Sequence, residues 1–288
     1  MTSETTVERS PAAAWPSRAR ALLRAPGLVL SVVLLVLVGL AALVPGLLTG
    51  QDPLTGVPAD KLLPPSLEHP FGTDQLGRDL LSRTVHGTAP TLRAALLAIA
   101  IGLVPGSLLG LLAGAVGGVV DDVLMRVADV LLAIPGLLLS LALITALGFG
   151  TTRVAVAVGA VSIAGFARVM RAQVLRVRES DYVEAAHASG TRWPGVLLRH
   201  VLPGAWGPVV VFAAVEFGTV VLAISSLSFL GYGAVPPEPE WGSLVAGGRD
   251  YLATSWWLTT LPGLTIALTV LAANRVARAL ERGTGEAS

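Results

Sequence analysis

The sequence predicts an all-α membrane protein with six transmembrane helices and both termini cytoplasmic. Three observations carry that expectation. Hydrophobic residues make up 53% of the 288-residue chain and charged residues only 14%, with a mean hydropathy of +0.72. A soluble domain carries about 25% charged residues, so this chain has too little charge to coat a water-facing surface. Uncharged stretches recur at the length needed for crossing a bilayer, about 20 residues as a helix. Basic residues also gather on one side of those stretches, as topology rules require. No ten-residue segments of alternating polarity suggest a barrel, which leaves helices to satisfy the backbone in lipid.

Residues 1–24 form a polar arm bearing Arg9, Arg18, Arg20 and Arg24, expected in the cytoplasm. Residues 25–50 form the first span, 26 uncharged positions between Arg24 and Asp52. That stretch is too long for a signal-peptide core and follows the polar arm, so it reads as an anchor. Residues 51–90 form an external segment rich in Pro, Gly and Asp. The second span is 94–120, and the third is 130–152 with a kink expected at Pro135. The fourth starts at 154 and continues to about 175, with Arg168 and Arg171 snorkelling to the headgroups. Residues 176–205 form an inner loop. The fifth span, 206–231, is apolar except for Glu216, and the sixth is 251–274 after an outer segment at 232–250. Residues 91–282 thus form a core domain with five of the spans, followed by a short tail at 283–288. With the N-terminus inside, 14 of the 20 Lys and Arg residues fall inside and six outside.

Several function classes drop out. There is no cysteine, hence no disulfide scaffold or thiolate metal site. A net charge of +1 gives no case for nucleic acid. His69, His86, His187 and His200 share no ligand spacing, so no metal site is expected. The single lysine, Lys61, sits in Pro58-Ala59-Asp60-Lys61-Leu62 and not in a phosphate-binding loop, so the chain is not expected to hydrolyse ATP. An intramembrane hydrolase would need a His-Glu-x-x-His pair or a Gly-x-Ser-x-Gly elbow, and neither is present. A secondary transporter would show repeated broken helices at mid-membrane.

The inner loop is the most informative stretch. Asp181 followed by Glu184 resembles a capping box, and Gly190 suits the position just past a short helix. Thr191 can cap a second helix with Pro194 in its first turn, and Pro203 ends that helix or kinks the entry to the fifth span. A connector needs only a few residues. About thirty structured residues point to a docking surface.

Glu184-Ala185-Ala186, then Gly190, then His200-x-Leu202-Pro203 resembles the EAA loop of permease subunits of bacterial ABC importers. His-x-Leu-Pro is similar to the dipeptide, oligopeptide and nickel branch. Three other stretches resemble that branch in order. They are His69-Pro-Phe-Gly72-Thr73-Asp74-Gln-Leu-Gly77-Arg78-Asp79-Leu-Leu-Ser82-Arg83; Asp122 to Asp129 with Ile134-Pro135; and Leu227-Ser228-Phe229-Leu230-Gly231 with Pro236-Pro237 and Trp241-Gly242. Together they cover about residues 65–274. The resemblance implies a C-type permease with the six-helix (MetI-like) bundle in the bacterial cytoplasmic membrane. It implies as partners a B-type permease in a heterodimer, two ABC ATPase subunits that bind ATP and Mg, an external substrate-binding protein, and membrane lipid. It implies that the 181–203 loop couples to the ATPase, and that the cargo is a di- or oligopeptide, with nickel or a metal chelate as the alternative. The chain departs from the family at Ala89, at Ile224, and at Asn274-Arg-Val-Ala277-Arg278, where the family has Arg, Glu and Asn-x-x-Gly-Asp.

Two further sets of residues are candidates. Glu216 and Ile224 are two helical turns apart on one face, and an intramembrane acid is a candidate for the translocation path, against a structural acid at a helix interface. Asp122, Arg126 and Asp129, spaced i, i+4 and i+7, read as an interfacial ion-pair cluster. The segment Gly72 to Arg83 is expected to help receive the binding protein or to shield the gate, against serving as turn chemistry only.

Overall fold

The computed structural model describes residues 26–285. Ten helices, here α1 to α10, form one bundle with a cap of loops at one end and a helical elbow at the other. Helix α1, Pro26–Leu43, contributes little to the core: Leu30, Val33, Val36, Leu40 and Leu43 are exposed, as suits a lipid-facing helix packed mainly on α10 and α2.

Helix α2, Leu80–Val116, has 37 residues and starts well before the expected second span. At 1.5 Å per residue it is about 55 Å long, so it stands out of a ~30 Å hydrocarbon core. The early start has a local cause. The Asp79 carboxylate accepts a 2.7 Å hydrogen bond from the Ser82 N–H and caps the helix. Gly117 and Gly118, with φ of +72° and +58°, end it and open the next helix.

The expected third span is two helices. Helices α3, Gly118–Ala133, and α4, Gly136–Leu147, meet at 95° around Ile134-Pro135. Pro135 has no N–H for the helical ladder, and it holds Ile134 extended at φ −87°, ψ 131°. At about 18 Å, α4 alone is too short to cross the bilayer. Five straight helices are long and apolar enough to span, or six with the bent pair taken as one.

Helix α5, Thr151–Arg178, is the most enclosed element and packs along α2. The reason is a ladder of small residues. Gly102, Gly106, Gly110 and Gly114 recur every four positions on α2 and face α5. A Cβ built on Gly106 would lie 2.6 Å from the Ile163 carbonyl oxygen, and one on Gly114 would lie 2.7 Å from Val174 Cγ1. Gly159 of α5 answers from the other side, against the Ala98 carbonyl. Only glycine lets two backbones come this close, and in lipid such packing drives helix association.

The elbow consists of α6, Asp181–Ala188, and α7, Trp193–Val196. A π-helical turn, Leu197–Val201, then leads without a break into α8, Leu202–Phe229. Pro203 therefore does not end a helix. It sits in the first turn of α8, directly after the π turn that stands at the entry to the fifth span. A short helix α9, Trp241–Gly248, lies against the cap, and α10, Trp257–Gly285, closes the bundle.

Two apolar clusters hold these elements. The one nearer the cap joins Ala94, Val158, Ile224, Leu227, Trp241 and Val270. The one nearer the elbow joins Phe166, Met170, Val174, Val183, Val196 and Val209.

Candidate functional site

The elbow is attached to the bundle by its apolar side. Val183 and Ala186 of α6, and Val196 and Val201 of the second arm, enter the cluster built on Phe166, Met170 and Val174 of α5. A fully buried apolar side chain stabilises by about 1.5–3 kcal/mol, so these four anchors make the elbow part of the bundle and not a mobile loop. Helix α6 starts at Asp181, one position earlier than a capping box with Asp181 outside the helix requires. Asp181 and Glu184 both lie in its first turn, where the helix dipole favours carboxylates, and no side-chain cap joins them among the described residues. Gly190 has φ +83° and closes α6, while the Thr191 N–H donates back to the Ala186 carbonyl at 3.3 Å. Thr191 does not cap α7. The capping position is Arg192, without a side-chain hydrogen bond, and Pro194 stands in the first turn.

The elbow leaves a mixed face uncovered, with Tyr182 and Leu198 beside polar positions. Glu184, Ala185 and Gly190 are exposed, whereas Ala186 is buried in the anchor. His200 and Leu202 are half-buried at the π turn, and Pro203 is exposed. Glu184 borders a cavity of about 430 Å³ together with Ala115, Arg178, Glu179 and Trp193. The side chain of Arg178 donates from Nη1 to the Gly114 carbonyl at 2.9 Å and to that of Ala115 at 3.4 Å. Its guanidinium also lies 5.5 Å from the centre of the Trp193 ring.

The acid cluster on α3 pairs differently from the expectation. Asp122, Arg126 and Asp129 do not pair with one another among the described residues. Asp129 pairs with Arg168, and Asp121 takes both Arg171 Nε and, at 2.6 Å, Arg171 Nη2. Arg168 and Arg171 therefore clamp α3 to α5 and do not extend alone to headgroups. Of the predicted three only Asp129 has an ion-pair partner among the described residues, because guanidiniums from the neighbouring helix α5, and not Arg126 of the same helix, reach the α3 carboxylates.

The cap end gathers all eight residues singled out there, and all are buried. Asp74 is the hub. Its carboxylate accepts from the Leu76 and Arg78 N–H groups and from Arg78 Nε at 2.7 Å, and Arg83 Nε lies 3.5 Å away. Asp79 caps α2 and pairs with His69 Nδ1 at 2.9 Å. The Ser82 hydroxyl donates to the Gln51 carbonyl, and Arg83 Nη1 to that of Pro53 at 2.7 Å. Thr73 bridges to Asp79, and its carbonyl accepts from the Trp257 indole. Gly72 and Gly77, both at φ +73°, are packed under Trp257 and against the Val57 carbonyl. At the surface nearby, the Leu54 N–H and the Thr55 hydroxyl hold the Asp52 carboxyl below its ordinary range. These residues thus stitch the 51–79 segment to α2 and α10 and, through Arg83, to the loop at Pro237. Any contact with a partner falls to exposed neighbours such as Leu67 and Leu76.

Glu216 is half-buried and accepts a 3.3 Å hydrogen bond from the Ser162 hydroxyl across the α5–α8 interface. Ile224 is fully buried in the upper cluster, so it faces protein and not a path. The shared helix face was read correctly, but its upper part packs inward.

Three features escaped the sequence reading. The glycine ladder had a legible signal, four glycines at four-residue spacing within one span. Glu240 is fully buried between α2 and α9, where it takes the N–H groups of Gly242 and Ser243 and the Thr91 hydroxyl. Its signal was a carboxylate directly before Trp241-Gly242. Arg178 had none, since its partners are backbone carbonyls 63 and 64 positions away.

Comparison with known proteins bears on both ends. Residues 106–286 match the family model described as binding-protein-dependent transport system inner membrane component. The chain is 43% identical over 204 residues to the di/tripeptide transport system permease protein DppC of Pseudomonas aeruginosa, covering 71% of this chain and 67% of that one. It is 40% identical over 250 residues to the probable D,D-dipeptide transport system permease protein DdpC of Escherichia coli, covering 86% and 84%. Among solved structures, a chain of the MetNI methionine ABC transporter in an inward-facing conformation superposes with a TM-score of 0.55 at 19% identity. It covers 69% of this chain and 96% of that one, a likeness of fold.

Proposed function

The chain belongs to the family of binding-protein-dependent transport system inner membrane components, and from that premise we propose that it is the permease subunit through which a bacterial ABC importer moves di- or oligopeptides. It is a multi-pass protein of the cytoplasmic membrane and the non-catalytic part of its transporter. The peptide assignment rests on the relatives, which carry peptide-permease names over most of the chain.

In this reading the termini and the elbow face the cytoplasm, and the cap faces outward. A second, B-type permease completes the path. Two ATPase subunits bind ATP and Mg and dock on the elbow, and an external binding protein delivers cargo to the cap end. The observation that carries the docking role is the division of the elbow into two faces. Val183, Ala186, Val196 and Val201 are fixed in the bundle, while Glu184, Ala185 and Gly190 are presented outward. A partner that pushes on the exposed face must therefore move α5 and α8 with it. Alternating access follows, with the chain supplying lever and path while hydrolysis takes place elsewhere. Glu216, set between α5 and α8 beside Ser162, is placed to feel that movement.

The test is peptide uptake in membrane vesicles holding the complete transporter. Glu184→Lys reverses the exposed charge, and Gly190→Trp fills the exposed turn. Both are expected to abolish uptake and loosen the ATPase subunits while the chain still inserts at normal abundance. Normal uptake by both variants refutes the docking role.

A further inference from the structure

We propose that Arg178 is a positioning residue that fastens the last turn of α2 to the elbow, so that α2 and the elbow move as one body. The inference rests on the elbow being the docking lever and adds which span receives the stroke directly.

Four observations meet at this side chain. Arg178 is the last residue of α5, immediately before the elbow. Its Nη1 donates to the carbonyls of Gly114 and Ala115 at 2.9 and 3.4 Å. Those groups belong to the last turn of α2, whose carbonyls have no intrahelical donor, and the negative end of the helix dipole favours a cation there. The same guanidinium lies over Trp193, 5.5 Å from the ring centre, and Trp193 opens the second arm of the elbow. Finally, Arg178, Ala115, Trp193 and Glu184 border one cavity, which puts this junction beside the exposed docking residue.

Arginine suits the position for a geometric reason. A planar guanidinium donates in its plane while stacking through its face, whereas an ammonium is a point charge that does one or the other well. The apolar anchor of the elbow is built on α5 and α8, with Leu103 and Leu111 of α2 at its edge. Arg178 extends that hold to the end of α2. From there, the glycine ladder carries displacement up the α2–α5 contact toward Gly102 and Ser162.

The chain has no cysteine, so a spin-label pair can be placed cleanly at Val116→Cys and Ser189→Cys in the assembled transporter. The distance between them is read by pulsed electron resonance with and without trapped nucleotide, beside peptide transported per ATP hydrolysed. With Arg178 present, one narrow distance is expected in both states. Arg178→Ala is expected to broaden it and to lower the transport-to-hydrolysis ratio on the order of tenfold, the middle of the range for coupling between sites. Arg178→Lys is expected to fall between, and Trp193→Leu to reproduce the alanine variant from the other side of the stack. An unchanged ratio and distance in Arg178→Ala and Trp193→Leu overturns the proposal, as does a distance that changes with nucleotide when Arg178 is intact. Loss of transport and hydrolysis in parallel, with the ratio preserved, reduces Arg178 to a structural residue and also overturns it. Co-elution of the ATPase subunits with Arg178→Ala keeps the docking reading separate. That reading fails by Glu184→Lys and Gly190→Trp both retaining uptake, whatever Arg178 does.

Discussion

Helix α2 joins two ends built on opposite physical plans. At the cap end Asp74, Arg78, Asp79 and Arg83 are all under 10% exposed, and hydrogen bonds and ion pairs tie them into the 51–79 segment and the first turn of α2. At the elbow end apolar side chains do the holding, while Glu184 and Gly190 are exposed, with no side-chain hydrogen bond or ion pair among the described residues. A buried ion-pair network tolerates little movement, because separating its members strands a charge out of water. An apolar anchor with a mixed outer face can move as a unit and keep its contacts. The contrast teaches that the cap resists displacement while the elbow can be displaced as a unit, which is what the proposed docking role requires.

The largest effect is expected at the cap. Asp74→Ala leaves Arg78 and Arg83 buried without their shared carboxylate, and losing one member of such a network costs about 3–5 kcal/mol. Thermal unfolding of the purified protein in detergent should show a large drop, with uptake falling in parallel. If stability is unchanged, the cap is not the rigid end.

Gly106→Leu sharpens the comparison between the two ends. A side chain there meets the Ile163 carbonyl and Phe166, and overpacking of this kind costs about 1–3 kcal/mol. Because the ladder connects cap to elbow, coupling should fall even in the fraction that folds, read as transport per ATP. Gly190→Val comes next. A β-branched residue forced to φ +83° costs about 1–2 kcal/mol, all of it local to the elbow turn. Uptake should drop far more than thermal stability does, the reverse of the cap variant. Asp129→Asn is the smallest. Its ion pair with Arg168 is more than half exposed on both sides, so the loss should stay below about 1 kcal/mol and shrink further in high salt.

The sequence made the membrane class, the spans and the elbow readable because each rests on local pattern. Uncharged runs set spans, Gly190 and Pro194 punctuate the elbow, and Pro135 breaks its span. The misreadings share one cause, the neighbour not visible in one dimension. Arg168 and Arg171 looked like snorkelling cations until α3 brought Asp129 and Asp121 to them. The α2 start was placed too late because Asp79 acts as a cap only once Ser82 is helical. Thr191 seemed the natural cap of the second arm, but the turn after Gly190 leaves Arg192 in that place. Ile224 shared a face with Glu216 as expected, but that face turns into the core at its upper end.

The central claim, that the elbow is the seat of a separate ATP-hydrolysing partner, is tested most directly by a photoreactive amino acid placed at Ser189 in the intact transporter. Illumination is expected to join this chain to an ATPase subunit, with the yield changing when nucleotide is trapped. Capture of the external binding protein there, or labelling of that position only from outside the cell, contradicts the account.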